Sequence, residues 1–260
     1  MSEQELTFWD HLDELRKVLL RILVVVVAFS IVTFACKDTL FSILLAPREP
    51  GFILYRLLGQ LASTLSLPAL RPEEVHVELI STQLTSQFMI HMSTSFYAAL
   101  LLASPYIIYQ CFRFIAPALY THERKYALRV LLSSFLLFFT GILLCYFLIF
   151  PLSLRFLATY KVVEEIRLLF TLSSYMNTFI TLSLLLGLLF EIPVLSWLLA
   201  KLGLLTAAYM TRYRRHAIVL ILTVAAIITP TTDLFSLALV SLPVYGLYEV
   251  SITIVKRTKK

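Results

Sequence analysis

Charge is the scarcest property of this chain: 15% of its 260 residues are Asp, Glu, Lys or Arg, against 59% hydrophobic. A soluble domain of that size cannot bury so much apolar surface, which excludes the ordinary soluble class and assigns the chain to a lipid bilayer. Cysteine is nearly absent as well. Cys36, Cys111 and Cys145 form no CxxC pair and lie in or beside apolar runs, so neither a metal centre nor a disulfide framework is indicated. The histidines, His11, His76, His91, His122 and His216, form no HExxH pair. No GxSxG elbow, P-loop or Gly-rich nucleotide motif occurs, so hydrolysis and ATP use lack sequence support and no cofactor is expected. Lys and Arg are missing from Met1 to Asp13, which carries Glu3, Glu5, Asp10 and Asp13. These residues therefore do not read as a signal or transit peptide, and the first apolar run is expected to be retained.

What the chain does contain is long apolar runs without the alternation of spanning strands, so it reads as an all-α polytopic membrane protein. Cutting the runs at their charges predicts six helices: Val18 to Ala35, Phe88 to Phe112, Val130 to Leu154, Ser174 to Ala200, Ala217 to Ile228 and Leu234 to Val255. An even number puts both termini on one face. That face, with the second and fourth connections, holds 15 of the 22 Lys and Arg residues, so both termini are expected in the cytoplasm. The formal charge of +6 is explained by these basic helix ends, and nucleic acid is not expected as a partner.

The chain reads as one integral membrane domain. Residues 1–17 are expected to form a cytoplasmic amphipathic helix, starting near Thr7 and running into the first span, with Phe8, Leu12, Leu15 and Leu19 on one arc and Asp10, Asp13, Glu14 and Lys17 facing away. The connection 37–86 mixes Pro47, Pro50, Pro68 and Pro72 with apolar stretches and is expected to cap the outer face. The fifth run is twelve residues long, about 18 Å of helix against a hydrocarbon core of about 30 Å. The sixth is interrupted by Pro243, and both are expected to be short. The turn at 229–233 joining them should sit below the outer surface, thinning the membrane or lining a water-filled dent.

Four carboxylates stand out. Glu14 and Glu123 are acidic groups on the face that is otherwise basic. Two such carboxylates suit two guanidinium groups bound by two-point hydrogen bonds that lysine cannot copy, although Glu123 also suits the exposed N–H groups of a helix start. The largely apolar run continues for nine residues beyond Glu191 before Lys201, which places the carboxylate about 15 Å inside its helix end. At that depth it must face a polar cavity, pair, or become protonated, and Pro193 should loosen the helix beside it. Asp233 fits a turn or helix cap unless the hairpin tip is submerged.

Short motifs along nearly the whole chain are similar to those of one family. His11-Leu12-Asp13-Glu14-Leu15-Arg16 resembles the amino-terminal signature of the TatC family, and residues 109–124, YQCFRFIAPALYTHER, resemble its strongest motif. Phe190-Glu191-Ile192-Pro193-Val194, Thr229-Pro230 with Asp233 and Ser236, and Leu242-Pro243 through Tyr248-Glu249 follow in order. The resemblance implies a non-enzymatic receptor and scaffold of the twin-arginine translocase in the bacterial inner membrane, forming a concave cup. Such a protein binds the twin-arginine signal peptide of folded cargo, self-associates and recruits TatA and TatB for export driven by the proton-motive force. By motif, Glu14 and Glu123 would receive the arginine pair, flanked by Leu15, Arg16 and Phe114. Glu191 would be the polar group of the concave face, and Asp233 a submerged acid near the partner helices. The chain departs at Leu237, where the family often has Gln. The main rival is a proton- or ion-coupled small-solute transporter titrating at Glu191, which would need an inverted repeat or a broken helix pair, and neither is visible. An intramembrane hydrolase lacks an evident nucleophile and base.

Overall fold

A computed structural model of the chain describes residues 8–64, 77–115, 127–160, 169–229 and 233–258. The Thr7 helix start, Glu123 and the Pro230 turn lie outside the described residues. Helix α1 (Phe8–Ala35) runs unbroken from the amphipathic stretch into the first span. Helix α4 (Ser86–Ile115) carries Pro105 without ending. The third span is α5 (Ala127–Leu144), a π-helical turn at Cys145–Ile149, and α6 (Phe150–Thr159). The fourth is α7 (Leu172–Leu189) and α8 (Ile192–Lys201), followed by the short α9 (Ala207–Arg212). The hairpin is α10 (Arg214–Ile228) and α11 (Leu234–Thr258).

Among the described residues, five helical stretches are long and apolar enough to cross a membrane: Leu12–Ala35, Ser86–Phe114, Leu128–Thr159, Leu172–Lys201 and Leu234–Thr258. Helix α10 has 15 residues, about 22 Å, and falls short as its sequence predicts. Helix α11 does not: it keeps 25 residues because Pro243 is absorbed within the helix. Shortness is therefore a property of α10 alone.

The α1–α4 connection contains α2 (Lys37–Leu45), a 3-10 turn at Ala46–Arg48, α3 (Ile53–Thr64) and strand β1 (Leu79–Ile80). Strand β1 pairs in parallel with β2 (Phe170–Thr171), Leu79 opposite Phe170, which ties this connection to the start of α7. Tyrosine hydroxyls fasten it further. Tyr146 donates to the Ile43 carbonyl at 2.7 Å, Tyr175 to Leu44 at 3.0 Å, and Tyr55 to Pro151 at 3.1 Å and Pro47 at 3.2 Å. Burial pushes the Tyr55 hydroxyl up to about 12, with Arg155 pulling the other way, so it remains a donor at neutral pH. Tyr175 is 4% exposed, and removing its hydroxyl takes a donor away from the carbonyl of buried Leu44. Tyr175→Phe should therefore cost about 1–2 kcal/mol, read by thermal unfolding in detergent, with a smaller cost for Tyr146→Phe, whose bond is exposed.

Two glycines set the α5–α7 distance. A Cβ at Gly141 would lie 2.9 Å from the Leu186 carbonyl oxygen and from Phe190 Cγ, and one at Gly187 would lie 2.9 Å from Phe138 Cε2. Lipid tails give helices no hydrophobic reason to associate, so close packing across small residues supplies the attraction. Around this contact Phe179, Leu182 and Leu186 join Cys145, Ile149 and Phe150 in the main core.

Candidate functional site

Glu14 departs from the sequence reading. It was expected on the outward charged arc, yet it is half-buried and continues the packed stripe of Val18, Ile22, Val26 and Thr33. Leu12 and Leu19, expected to be the inward arc with Leu15, are 41% and 57% exposed. The stripe faces α4: Val26 packs on Ala99 and Ala103, and Thr33 Oγ1 donates to the Ser95 carbonyl at 2.8 Å. Counting equal steps along both antiparallel helices from that bond brings Glu14 level with Phe114. Phe114 and Leu15 are half-buried, and Arg16 is exposed. The chain leaves α4 at Ile115, eight positions before Glu123.

Glu191 occupies a break in the fourth span. Pro193 has no N–H, and its ring clashes with the carbonyl four residues earlier, so α7 ends at Leu189 and α8 starts at Ile192. Ser134 Oγ donates to Glu191 Oε2 at 2.6 Å, while Oε1 is buried without a partner. Both groups line a cavity of about 450 Å³ between α4, α5 and α7–α8, whose other walls include Leu100, Ile107 and Leu188. A polar group thus faces an apolar hollow large enough to admit a guest, with one acceptor position unused. Ser134 was missed from sequence. A pair of serines, Ser133 and Ser134, in an otherwise apolar run was the available signal.

Asp233 caps α11, accepting the Ser236 N–H on Oδ1 at 2.7 Å. Thr229 and Ser236 line a hollow of about 240 Å³ with Ser174, Thr178 and Leu182, so these two residues lie alongside the first three turns of α7. Leu237 packs against the main core. At the other end of the hairpin Arg214 bonds Glu249 at 2.7 Å, and Tyr245 donates to the same carboxylate at 3.0 Å. That clasp joins α10 to α11, and sequence reading missed it. The structure thus brings Glu14 level with Phe114 and Glu191 beside Ser134, and keeps Asp233 at the hairpin tip as a separate site.

The family model described as Sec-independent protein translocase protein (TatC) matches residues 10–243. The TatC protein of Blattabacterium sp. is 32% identical over 97% of this chain and 96% of its own. That of Escherichia coli K12 is 32% identical over 93% of this chain and 85% of its own. A crystal structure of the twin arginine translocase receptor TatC is 31% identical and covers 96% of this chain and all of that one, with a TM-score of 0.76. A family match over most of the length, full-length relatives and a shared helical fold agree: the chain belongs to the TatC family and is a multi-pass membrane component of the Sec-independent protein translocase.

Proposed function

We infer that the chain is the receptor and scaffold of this translocase, binding the twin-arginine signal peptide of folded cargo at its cytoplasmic end. Glu14 and Glu123 receive the two guanidinium groups, with Leu15, Arg16 and Phe114 around them. The observation that carries this reading is the side of α1 on which Glu14 lies: half-buried, on the stripe that packs against α4, and level with Phe114. An outward-facing carboxylate would be solvated, whereas one at a helix seam can form planar hydrogen bonds with a peptide laid across it. The crystal structure named as a receptor, similar over 96% of this chain, supports the same assignment. The protein resides in the bacterial inner membrane with both termini cytoplasmic, the orientation that the 15-to-7 division of basic residues favours. It self-associates, acts without catalysis and assembles with TatA- and TatB-type single-span proteins, export being driven by the proton-motive force. Glu191 offers its unused acceptor to a polar group entering the apolar cavity, and Asp233 anchors the hairpin near the partner helices.

A photo-crosslinker placed at Leu15 or Phe114 should capture a twin-arginine peptide in membranes and leave the twin-lysine peptide largely uncaptured. Equal capture of both peptides would remove the two-point recognition on which the assignment depends.

A further inference from the structure

The hollow of about 240 Å³ between α6, α7 and the hairpin is lined by five serines and threonines: Ser153, Ser174, Thr178, Thr229 and Ser236. They come from four helices. Ser236 is 2% exposed, and its Oγ is buried without a hydrogen-bond partner. Thr229 is 5% exposed and gives its proton to the Ala225 carbonyl, which leaves its Oγ1 able to accept. A buried hydroxyl without a partner is costly, and a hydrocarbon chain lying in the hollow could not relieve it. Water can, being donor and acceptor at once. One water takes about 30 Å³ of the liquid, so the hollow has room for several.

Position gives the water a way in. Ser174 stands in the first turn of α7, Ser236 in the first turn of α11, and Thr229 caps α10, so the hollow lies at one end of the bundle. Ser174 is exposed, which puts the mouth at that end. It is also the end at which α10 falls short. Arg214 and Arg215 hold the start of α10 at the membrane–water boundary, so its deficit falls at Thr229: about 22 Å of helix against a core of about 30 Å leaves about 8 Å. From Ser174 to Thr178 is about 6 Å along α7, a similar depth.

We propose that this hollow is a hydration site, a small cluster of ordered waters hydrogen-bonded to Ser236 Oγ, Thr229 Oγ1 and the Thr178 hydroxyl and continuous with the solution at Ser174. The cluster carries the aqueous boundary inward to the end of α10, so the short helix meets water there rather than hydrocarbon. The site does not depend on the peptide-binding reading.

The test is X-ray hydroxyl-radical footprinting of the full chain in nanodiscs, read residue by residue by mass spectrometry. Radiolysis of a bound water oxidises the side chains beside it, so labelling of a buried ring reports water at that ring. Tyr175 lines the hollow and is 4% exposed. Tyr97, 2% exposed and not in its lining, is the reference of like chemistry. Tyr175 should be oxidised several-fold faster than Tyr97. Ser153→Leu, which fills part of the hollow, should remove most of that excess, an unchanged elution volume showing that the variant is folded. Tyr175 oxidised no faster than Tyr97 in the wild type, which needs no variant, would overturn the site and leave the hollow dry or filled by lipid. Undiminished labelling in folded Ser153→Leu would overturn it too, since water would then be reaching Tyr175 from the Leu44 side.

Discussion

Replacing both Glu14 and Glu123 by Gln should lower affinity for a twin-arginine peptide by about a hundredfold or more while the protein still inserts. Gln keeps the shape and one acceptor oxygen but loses the charge and the paired acceptors, and a hydrogen bond to a charged partner contributes about 1.5–3 kcal/mol. Two such losses multiply, since about 1.4 kcal/mol is tenfold in binding. Each single variant should lose about tenfold. Fluorescence anisotropy with a labelled peptide and nanodisc-embedded protein reads the change, with a twin-lysine peptide as the reference for weak binding. Wild-type affinity in the double variant would exclude these carboxylates as the receiving pair.

The second large effect is expected at Gly141. A side chain there meets the Leu186 carbonyl oxygen at 2.9 Å, and a backbone atom inside α7 cannot step aside as a side chain can. Gly141→Ala should cost about 1–3 kcal/mol, and Gly141→Val more, measured as a lowered unfolding midpoint in detergent. Gly187→Ala should cost less, because its first obstacle is the edge of the Phe138 ring, which can tilt. The two alanine variants therefore separate helix displacement from side-chain repacking. Gly141 also touches Phe190, next to Glu191, so Gly141→Val should disturb the Ser134–Glu191 bond.

The span positions, the short α10 and the break near Pro193 were legible in the sequence, because each follows from backbone chemistry and chain length. The side of α1 that faces inward was not. In water, apolar periodicity marks the buried face, but lipid tails are as apolar as a protein core, so Leu12 and Leu19 can face outward. The buried stripe of α1 instead carries Glu14 and Thr33, polar groups that sequence reading turned outward or passed over. The expected family role for Asp233 leaves its local chemistry unchanged: it caps a helix start, one of the two alternatives its position allowed. The tyrosine bonds were out of reach for a different reason. Tyr175 and Leu44 are 131 positions apart, and no local pattern announces such a meeting.

Those phenol bonds have a mechanical consequence. Tyr175 stands near one end of α7 and Glu191 just beyond the other, so a tug on α2 travels along a stiff rod toward the break in the span. A force applied at the Lys37–Leu45 segment would thus be felt near the Ser134–Glu191 contact without touching it.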